Sequence, residues 1–273
     1  MRIALNRLAR IENNDMQALV SSYSPKIKLS ILHRLSYRCL FSGFLAFTGW
    51  MVPVQAQANN PHFSECISRI ELQARSEGIS DKTVHQILSK VKYIQRVIEL
   101  DRRQPEFTQT FANYFNTRIN DERVQRGREL LAKHRALLNQ IQQETGIPAQ
   151  YLVAFWGLET NYGGYFGDWS VPDSLATLAC DPRRSTFFTQ ELLNAMRILD
   201  AGDISPERMI GSWAGAMGHM QFMPSTFIRY AKDVDGDGRR DLWGSIPDAM
   251  GSAANFLRQL GWIAGLSWGQ EVR

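Results

Sequence analysis

Glu159 is the acidic residue best placed to do chemistry. It lies in Trp156-Gly157-Leu158-Glu159-Thr160-Asn161-Tyr162-Gly163-Gly164, where an apolar helical face gives way to a glycine- and aromatic-rich loop. A carboxyl pressed there against Phe155, Trp156 or Tyr162 loses hydration, and burial disfavours its charged form. Such an acid stays protonated near neutrality and can donate to a leaving oxygen. The competing reading is an exposed helix-terminal glutamate with no specific contact. A second stretch, Gly211 to Ser225, alternates small residues with Trp213, Met217, Met220, Phe222 and Met223. It offers close backbone approach and an apolar floor for sugar faces, with Ser212 and Gln221 as hydrogen-bonding groups; a tightly packed helix pair would use the same composition. In a third stretch Asp233, Asp235 and Asp237 stand at positions 1, 3 and 5 with Gly238 at 6, as in the start of an EF-hand calcium loop. Position 12 is Gly244 rather than Glu, so an Asp- and Gly-rich turn is the alternative.

The elements that must position these residues read as helical. Phe63, Cys66, Ile67, Ile70 and Ala74 recur at three- and four-residue spacing, and Gly78 is a stop. Ser80 can cap a second helix whose Val84, Ile87, Leu88 and Val91 share a face. Asp121 opens a long helix carrying Val124, Leu130, Leu131, Leu137, Leu138 and Ile141, ended by Gly146. Pro148 begins another that runs through Tyr151, Leu152, Phe155 and Trp156 to Glu159. Pro182 to Leu199, a turn after Ser205-Pro206-Glu207, and Pro247 to Leu260 complete the set. With no long alternating pattern in competition, the fold class is mainly α. The stretches 161–171, 211–225 and 233–246 interrupt the helices, where sites are commonly built on loops held by a rigid scaffold.

The 273 residues can bury a sizeable core. A net charge of +4 suits an anionic polymer, but the charges are interspersed and no Lys/Arg block or nucleic-acid module is present. Lys26, Lys28, Arg34 and Arg38 precede an apolar run from Cys39 to Val54, and Ala56-Gln57-Ala58 follows it. This pattern predicts a secretory signal peptide, with an uncleaved anchor as the alternative. The long segment ahead of it suggests a later translation start, at Met16. Residues 1–58 are therefore expected to be extension and signal, and 59–273 the functional domain. Export leaves Cys66 and Cys180, which can pair in an oxidising compartment or remain buried thiols.

Taken together, the Glu-Thr-Asn-Tyr-Gly loop, the Gly-Ser-Trp-Ala-Gly-Ala-Met-Gly run and the Gln-Phe-Met-Pro-Ser segment carry a resemblance, supported by Asp-Arg-Arg-Gln-Pro-Glu-Phe at 101–107 and Asp-Pro-Arg-Arg at 181–184. From Phe63 to Trp262 the chain resembles the membrane-bound lytic murein transglycosylase B family, whose fold is an elaborated goose-type lysozyme. The resemblance implies a periplasmic enzyme, expected to be a monomer, that acts on peptidoglycan glycan strands, not nucleic acid, with cell-wall synthases or hydrolases as conceivable partners. It places Glu159 on the family's catalytic acid, Ser212 on the serine that orients the substrate's acetamido group, Gln221 on a cleft-lining glutamine and Tyr114 on a cleft tyrosine. It further implies an elongated EF-hand-like loop that takes a structural Ca2+ or Na+ on Asp233, Asp235, Asp237, the Arg239 carbonyl and Asp248, with no cofactor required for catalysis.

Most glycosidases need two carboxylates flanking the bond. Near Glu159 no second carboxylate is obvious; Asp168 and Asp173 are the nearest candidates, with loop capping as the alternative reading. A lytic transglycosylase would do with one, because the muramoyl C6 hydroxyl replaces water. The chain departs from the family at Phe256, where a cleft tyrosine is usual, and its domain is expected to be incomplete at the C-terminus. A non-catalytic peptidoglycan binder and a water-using hydrolase of the same fold are the rival readings.

Overall fold

The computed structural model describes residues 61–103 and 110–265. The expected signal segment, residues 104–107 of the first charged motif, and residues 266–273 lie outside them. Eleven helices follow in order: α1 (Pro61–Ser76), α2 (Asp81–Leu88), α3 (Gln95–Arg102), α4 (Phe111–Arg118), α5 (Asp121–Lys133), α6 (Arg135–Thr145), α7 (Ala149–Thr160), α8 (Val171–Ala179), α9 (Ser185–Asp200), α10 (Pro224–Tyr230) and α11 (Ile246–Gln259). The mainly α expectation is met. The strands present are short: β1 (Trp169–Ser170) pairs antiparallel with β2 (Ile210–Gly211).

Local chemistry accounts for most boundaries. The Ser80 side chain accepts from the Thr83 amide at the start of α2, and Asn120 does the same for Arg123 at the start of α5. Pro148 precedes α7, while α6 ends on Gly146 in the left-handed region. The long helix expected from Asp121 to Gly146 is two helices. At His134 (φ −99°, ψ 19°) the backbone leaves helical geometry, so α5 and α6 diverge although the apolar spacing continues through the break.

The central layer is α8, almost wholly buried, packed along α9, which in turn meets α10. Leu175, Leu192, Leu193, Met196 and Phe188 fill that interface. Each buried leucine-sized side chain contributes about 1.5–3 kcal/mol. On one flank α5 packs on α7, and α11 lies against α6.

Polar contacts join distant segments. Cys66 of α1 and Cys180, just after α8, form a disulfide (Cα–Cα 5.8 Å), which decides between the two fates left open for them. The two charged motifs pair with each other: Asp101, 2% exposed, takes Arg183 at 2.7 Å and also Arg184, while Arg102 meets Asp181 at 2.8 Å. Asp101 is thus a buried carboxylate whose charge two guanidiniums neutralise.

Candidate active site

Glu159 sits in the last turn of α7. The helix ends there because Asn161 (φ 51°) and Tyr162 (φ 60°) both enter the left-handed region, which turns the chain sharply away from the axis. The Glu159 carboxyl is half-buried, and loss of hydration pushes its pKa up to about 8; the Arg118 guanidinium at the end of α4 opposes the shift. Among the described residues no second carboxylate acts on it. Asp168 receives the Tyr165 hydroxyl at 3.4 Å. Asp173 accepts the Lys92 amide at 3.0 Å and thereby ties α8 to the segment before α3.

Behind the acid, the loop is anchored on His219. Trp156 Nε1 donates to His219 Nδ1 at 2.9 Å, and the Thr160 hydroxyl donates to the His219 carbonyl at 2.9 Å. Thr160 also accepts the Gly163 amide at 3.0 Å. Burial drives the His219 pKa down to about 4, against a weaker opposing pull from Asp241, so the ring is neutral and its Nδ1 is an acceptor. Gly163 (φ 78°) lies flat against that ring: a Cβ there would fall 2.4 Å from His219 Cε1. Only glycine satisfies both the backbone angle and the contact.

Tyr162 fixes the other side. Its ring enters a notch formed by two glycines on facing helices. A Cβ at Gly127 of α5 would approach its hydroxyl to 2.6 Å, and one at Gly157 of α7 would approach the ring to 2.6 Å. The phenol donates to the Arg123 carbonyl at 2.8 Å, and the Arg123 guanidinium donates to the Arg118 carbonyl. A run of contacts therefore leads from the Glu159 turn to the arginine that faces it. Beside this turn, between α5 and Asn161–Tyr162, lies a cleft of about 510 Å³.

The stretch from Gly211 to Pro224 is neither a helix pair nor an open floor. Every residue in it is buried. It forms tight reversals, with Met217 bridging to both Gly211 and Phe222. The Ser212 hydroxyl accepts the Ala216 amide at 3.0 Å. Gln221 (φ 47°) donates from Nε2 to the carbonyls of Phe166, at 3.2 Å, and Gly218, at 3.1 Å, and so joins the Glu159 loop to the reversal. Tyr114 is exposed on α4, with the Arg118 guanidinium 5.4 Å from its ring centre. Phe256 packs between Phe222 (5.3 Å) and Tyr230 (5.2 Å).

In the acidic loop, carboxylate oxygens of Asp233, Asp235 and Asp248 lie within 4.8 Å of one another. Asp248 is fully buried and accepts backbone amides of Val234 (2.7 Å), Asp235 (3.3 Å) and Asp241 (2.9 Å). Asp237 instead pairs with Arg239 at 2.8 Å. Three converging carboxylates form an all-oxygen set suited to a hard cation such as Ca2+; Asp237 would join them only by leaving Arg239. The His219 amide donates to the Leu242 carbonyl at 2.8 Å, which links this loop to the residue behind Glu159.

Arg118, Thr160, Tyr162 and His219 acquire roles that the sequence does not announce. Tyr162 and Thr160 stand inside the quoted motif, and a pair of glycines matching a bulky neighbour was the available signal. Arg118 had none, because α4 lacks an apolar stripe.

Fold and site define a lysozyme-like helical domain whose site holds Glu159, a half-buried acid of raised pKa. Residues 62–273 match the family described as transglycosylase SLT domain, and the chain belongs to that family. It is 33% identical over 218 residues to membrane-bound lytic murein transglycosylase B of Escherichia coli K12, covering 76% of this chain and 59% of that protein. The expected kinship is met, although the chain spans less than two thirds of that relative. Among solved structures it is similar to SltB3 from Pseudomonas aeruginosa in complex with NAG-NAM-pentapeptide (TM-score 0.74, 44% identity, 77% of this chain and 56% of that one). It is also similar to E. coli lytic transglycosylase Slt35 in complex with calcium (TM-score 0.66, 34% identity, 76% and 65%). No helix of the described residues is long and apolar enough to cross a membrane.

Proposed function

We propose that this chain is a lytic transglycosylase that cuts the β-1,4 bond between N-acetylmuramic acid and N-acetylglucosamine in exported peptidoglycan, leaving 1,6-anhydromuramoyl ends. The observation that carries the reading is a single carboxyl, raised to about 8 by burial, with Arg118 as the charge acting on it and, among the described residues, no second carboxylate. Protonated Glu159 gives its proton to the glycosidic oxygen as the C1–O bond breaks. The carboxylate left behind, now facing Arg118, takes the proton of the C6 hydroxyl, and that oxygen closes onto C1. Proton and oxygen balance without water, so one acid serves both steps.

Ser212 already accepts the Ala216 amide, which leaves its hydroxyl proton for the acetamido carbonyl that shields the cationic centre. Gln221 spends its amide protons on Phe166 and Gly218, so its oxygen is the group able to accept from a sugar hydroxyl. Tyr114 offers an exposed ring beside Arg118. Asp233, Asp235 and Asp248 would hold Ca2+, with Asp237 and the Arg239 carbonyl completing the set; the ion would supply fixed positive charge that pins the loop, with no role in bond breaking. Residues 1–58 act as extension and export signal, which places the domain in the periplasm.

Digestion of purified murein sacculi, followed by mass analysis, tests the reading. Anhydro-muropeptides are expected. Reducing-end products would mean that water is used, and unchanged sacculi with bound protein would mean a binder.

A further inference from the structure

Resting on that reading and deepening it, we propose that His219 is a positioning residue for the reaction, which clamps the last turn of α7 from behind and thereby sets where the Glu159 carboxyl stands. A helix end needs such help, because its last carbonyls have no partners within the helix and the final turn frays. Trp156 and Thr160, three residues before and one after Glu159, lie four apart on one helix face. Both are buried and both end on His219. The indole Nε1 donates to the ring Nδ1 at 2.9 Å, and the Thr160 hydroxyl donates to the His219 carbonyl at 2.9 Å. The residues that follow the acid press on the same ring. Gly163 leaves no room for a Cβ against it, and Phe166 meets it edge to face at 4.7 Å. Four residues on the two sides of Glu159 thus take their place from one.

His219 is itself fixed. Its amide donates to the Leu242 carbonyl at 2.8 Å, and Gly218 packs so closely there that a Cβ would fall 2.5 Å from the same oxygen. Two residues on, Gln221 reaches the Phe166 carbonyl. The residue type is informative as well. The reversal around it is apolar, with Met217, Met220 and Phe222 buried. An apolar side chain at 219 would suit those neighbours but leave the buried Trp156 N–H without an acceptor. Because an indole can only donate, Nδ1 carries no proton and the ring is held in one tautomer. Proton delivery is sensitive to placement: a displacement of about 1 Å costs on the order of 100-fold in rate.

The test reads the setting of Glu159 both with and without turnover. His219→Phe keeps an aromatic ring but has no acceptor, whereas His219→Gln restores an acceptor without the ring. Thermal unfolding shows which variants are folded at the assay temperature. On soluble glycan strands, His219→Phe should lower kcat about 10–100-fold with KM within about twofold of wild type. His219→Gln should recover most of the lost kcat. Carboxyl NMR, with Glu159→Gln to assign the signal, should show Glu159 titrating about one pH unit lower in His219→Phe, because a loosened turn admits water to the carboxyl. Arg118, the charged group that acts on Glu159, is untouched by either substitution. A folded His219→Phe with wild-type kcat, or with an unmoved Glu159 titration, overturns the proposal, as does a His219→Gln no better than His219→Phe. If His219→Phe is unfolded, Thr160→Val, which cuts only the bond to the His219 carbonyl, is read in the same way. Absence of anhydro products from the wild-type protein would remove the enzymatic reading, and the NMR comparison would still decide this one.

Discussion

Tyr162 occupies the space that a side chain at Gly157 would need: a Cβ built there falls 2.6 Å from the tyrosine's Cζ. The two residues are five apart, and the left-handed turn at Asn161 and Tyr162 brings the ring back over the helix it has just left. The glycine in the middle of α7 is therefore there for packing. Against alanine it gives up roughly 1 kcal/mol of helix propensity, offset by a seated aromatic ring that sets the direction of the Glu159 turn.

Gly157→Ala should accordingly destabilise the protein by about 1–3 kcal/mol through overpacking, despite alanine's better helix propensity. In a Tyr162→Ala background the same substitution should be nearly neutral. Chemical denaturation of the four proteins gives the coupling directly; additive losses would show that the ring and the glycine do not interact.

Glu159→Gln should abolish cleavage and stabilise the fold at alkaline pH. The folded pKa of Glu159, about 8, lies above its ordinary value of 4.5. Its favourable contribution is thus fully present below pH 4.5 and lost as pH rises through 8. The stability gap between variant and wild type should open across that window and level off at a value on the order of 5 kcal/mol at most. Wild-type kcat/KM should fall as pH rises past about 8. A gap that does not vary with pH would remove the buried acid from the account.

His219 carries the opposite sign. Its folded pKa, about 4, lies below the ordinary 6.5, so its contribution is complete above pH 6.5 and lost as pH falls toward 4. His219→Phe should lower stability at pH 7, because Trp156 Nε1 loses its acceptor, by about 1–3 kcal/mol. It should also flatten the acid limb of the melting-temperature profile between pH 6.5 and 4. An unchanged acid limb would mean that other groups set it.

Calcium should raise the melting temperature of the wild-type protein, and EDTA should reverse the effect. Asp248→Asn should remove the calcium response and also cost stability without metal, since the carboxylate holds three backbone amides. A full calcium response in Asp248→Asn would place the ion elsewhere.

Legibility followed the range of the interactions. The Ser80 cap, the Gly146 stop and the α7 start after Pro148 are decided within a few residues, and each could be read directly. The break at His134 could not, because Leu130, Leu137 and Leu138 keep helical spacing across it. Helices α3, α4, α8 and α10 were not anticipated: three are short, and α8 is buried on nearly all sides, which erases the alternation that marks an amphipathic helix. Glu159 was legible from its setting. His219 was not, since its meaning depends on Trp156 and Thr160, 63 and 59 residues away. Asp101 and Arg183 each looked like an isolated charged motif, and only the fold shows that they are halves of one contact.

The bridge between Cys66 and Cys180 encloses a covalent ring whose closing residues are 114 apart. In the chain-entropy view a ring of that size is worth about 4–5 kcal/mol. Glu159, Arg118 and the α5 cleft all lie inside it. A protease that nicks the backbone once anywhere between residues 66 and 180 therefore releases nothing: the two pieces still travel as one molecule and separate only after reduction and unfolding. Under the proposed export, keeping Glu159 and Arg118 within that ring would hold the site together after such a cut.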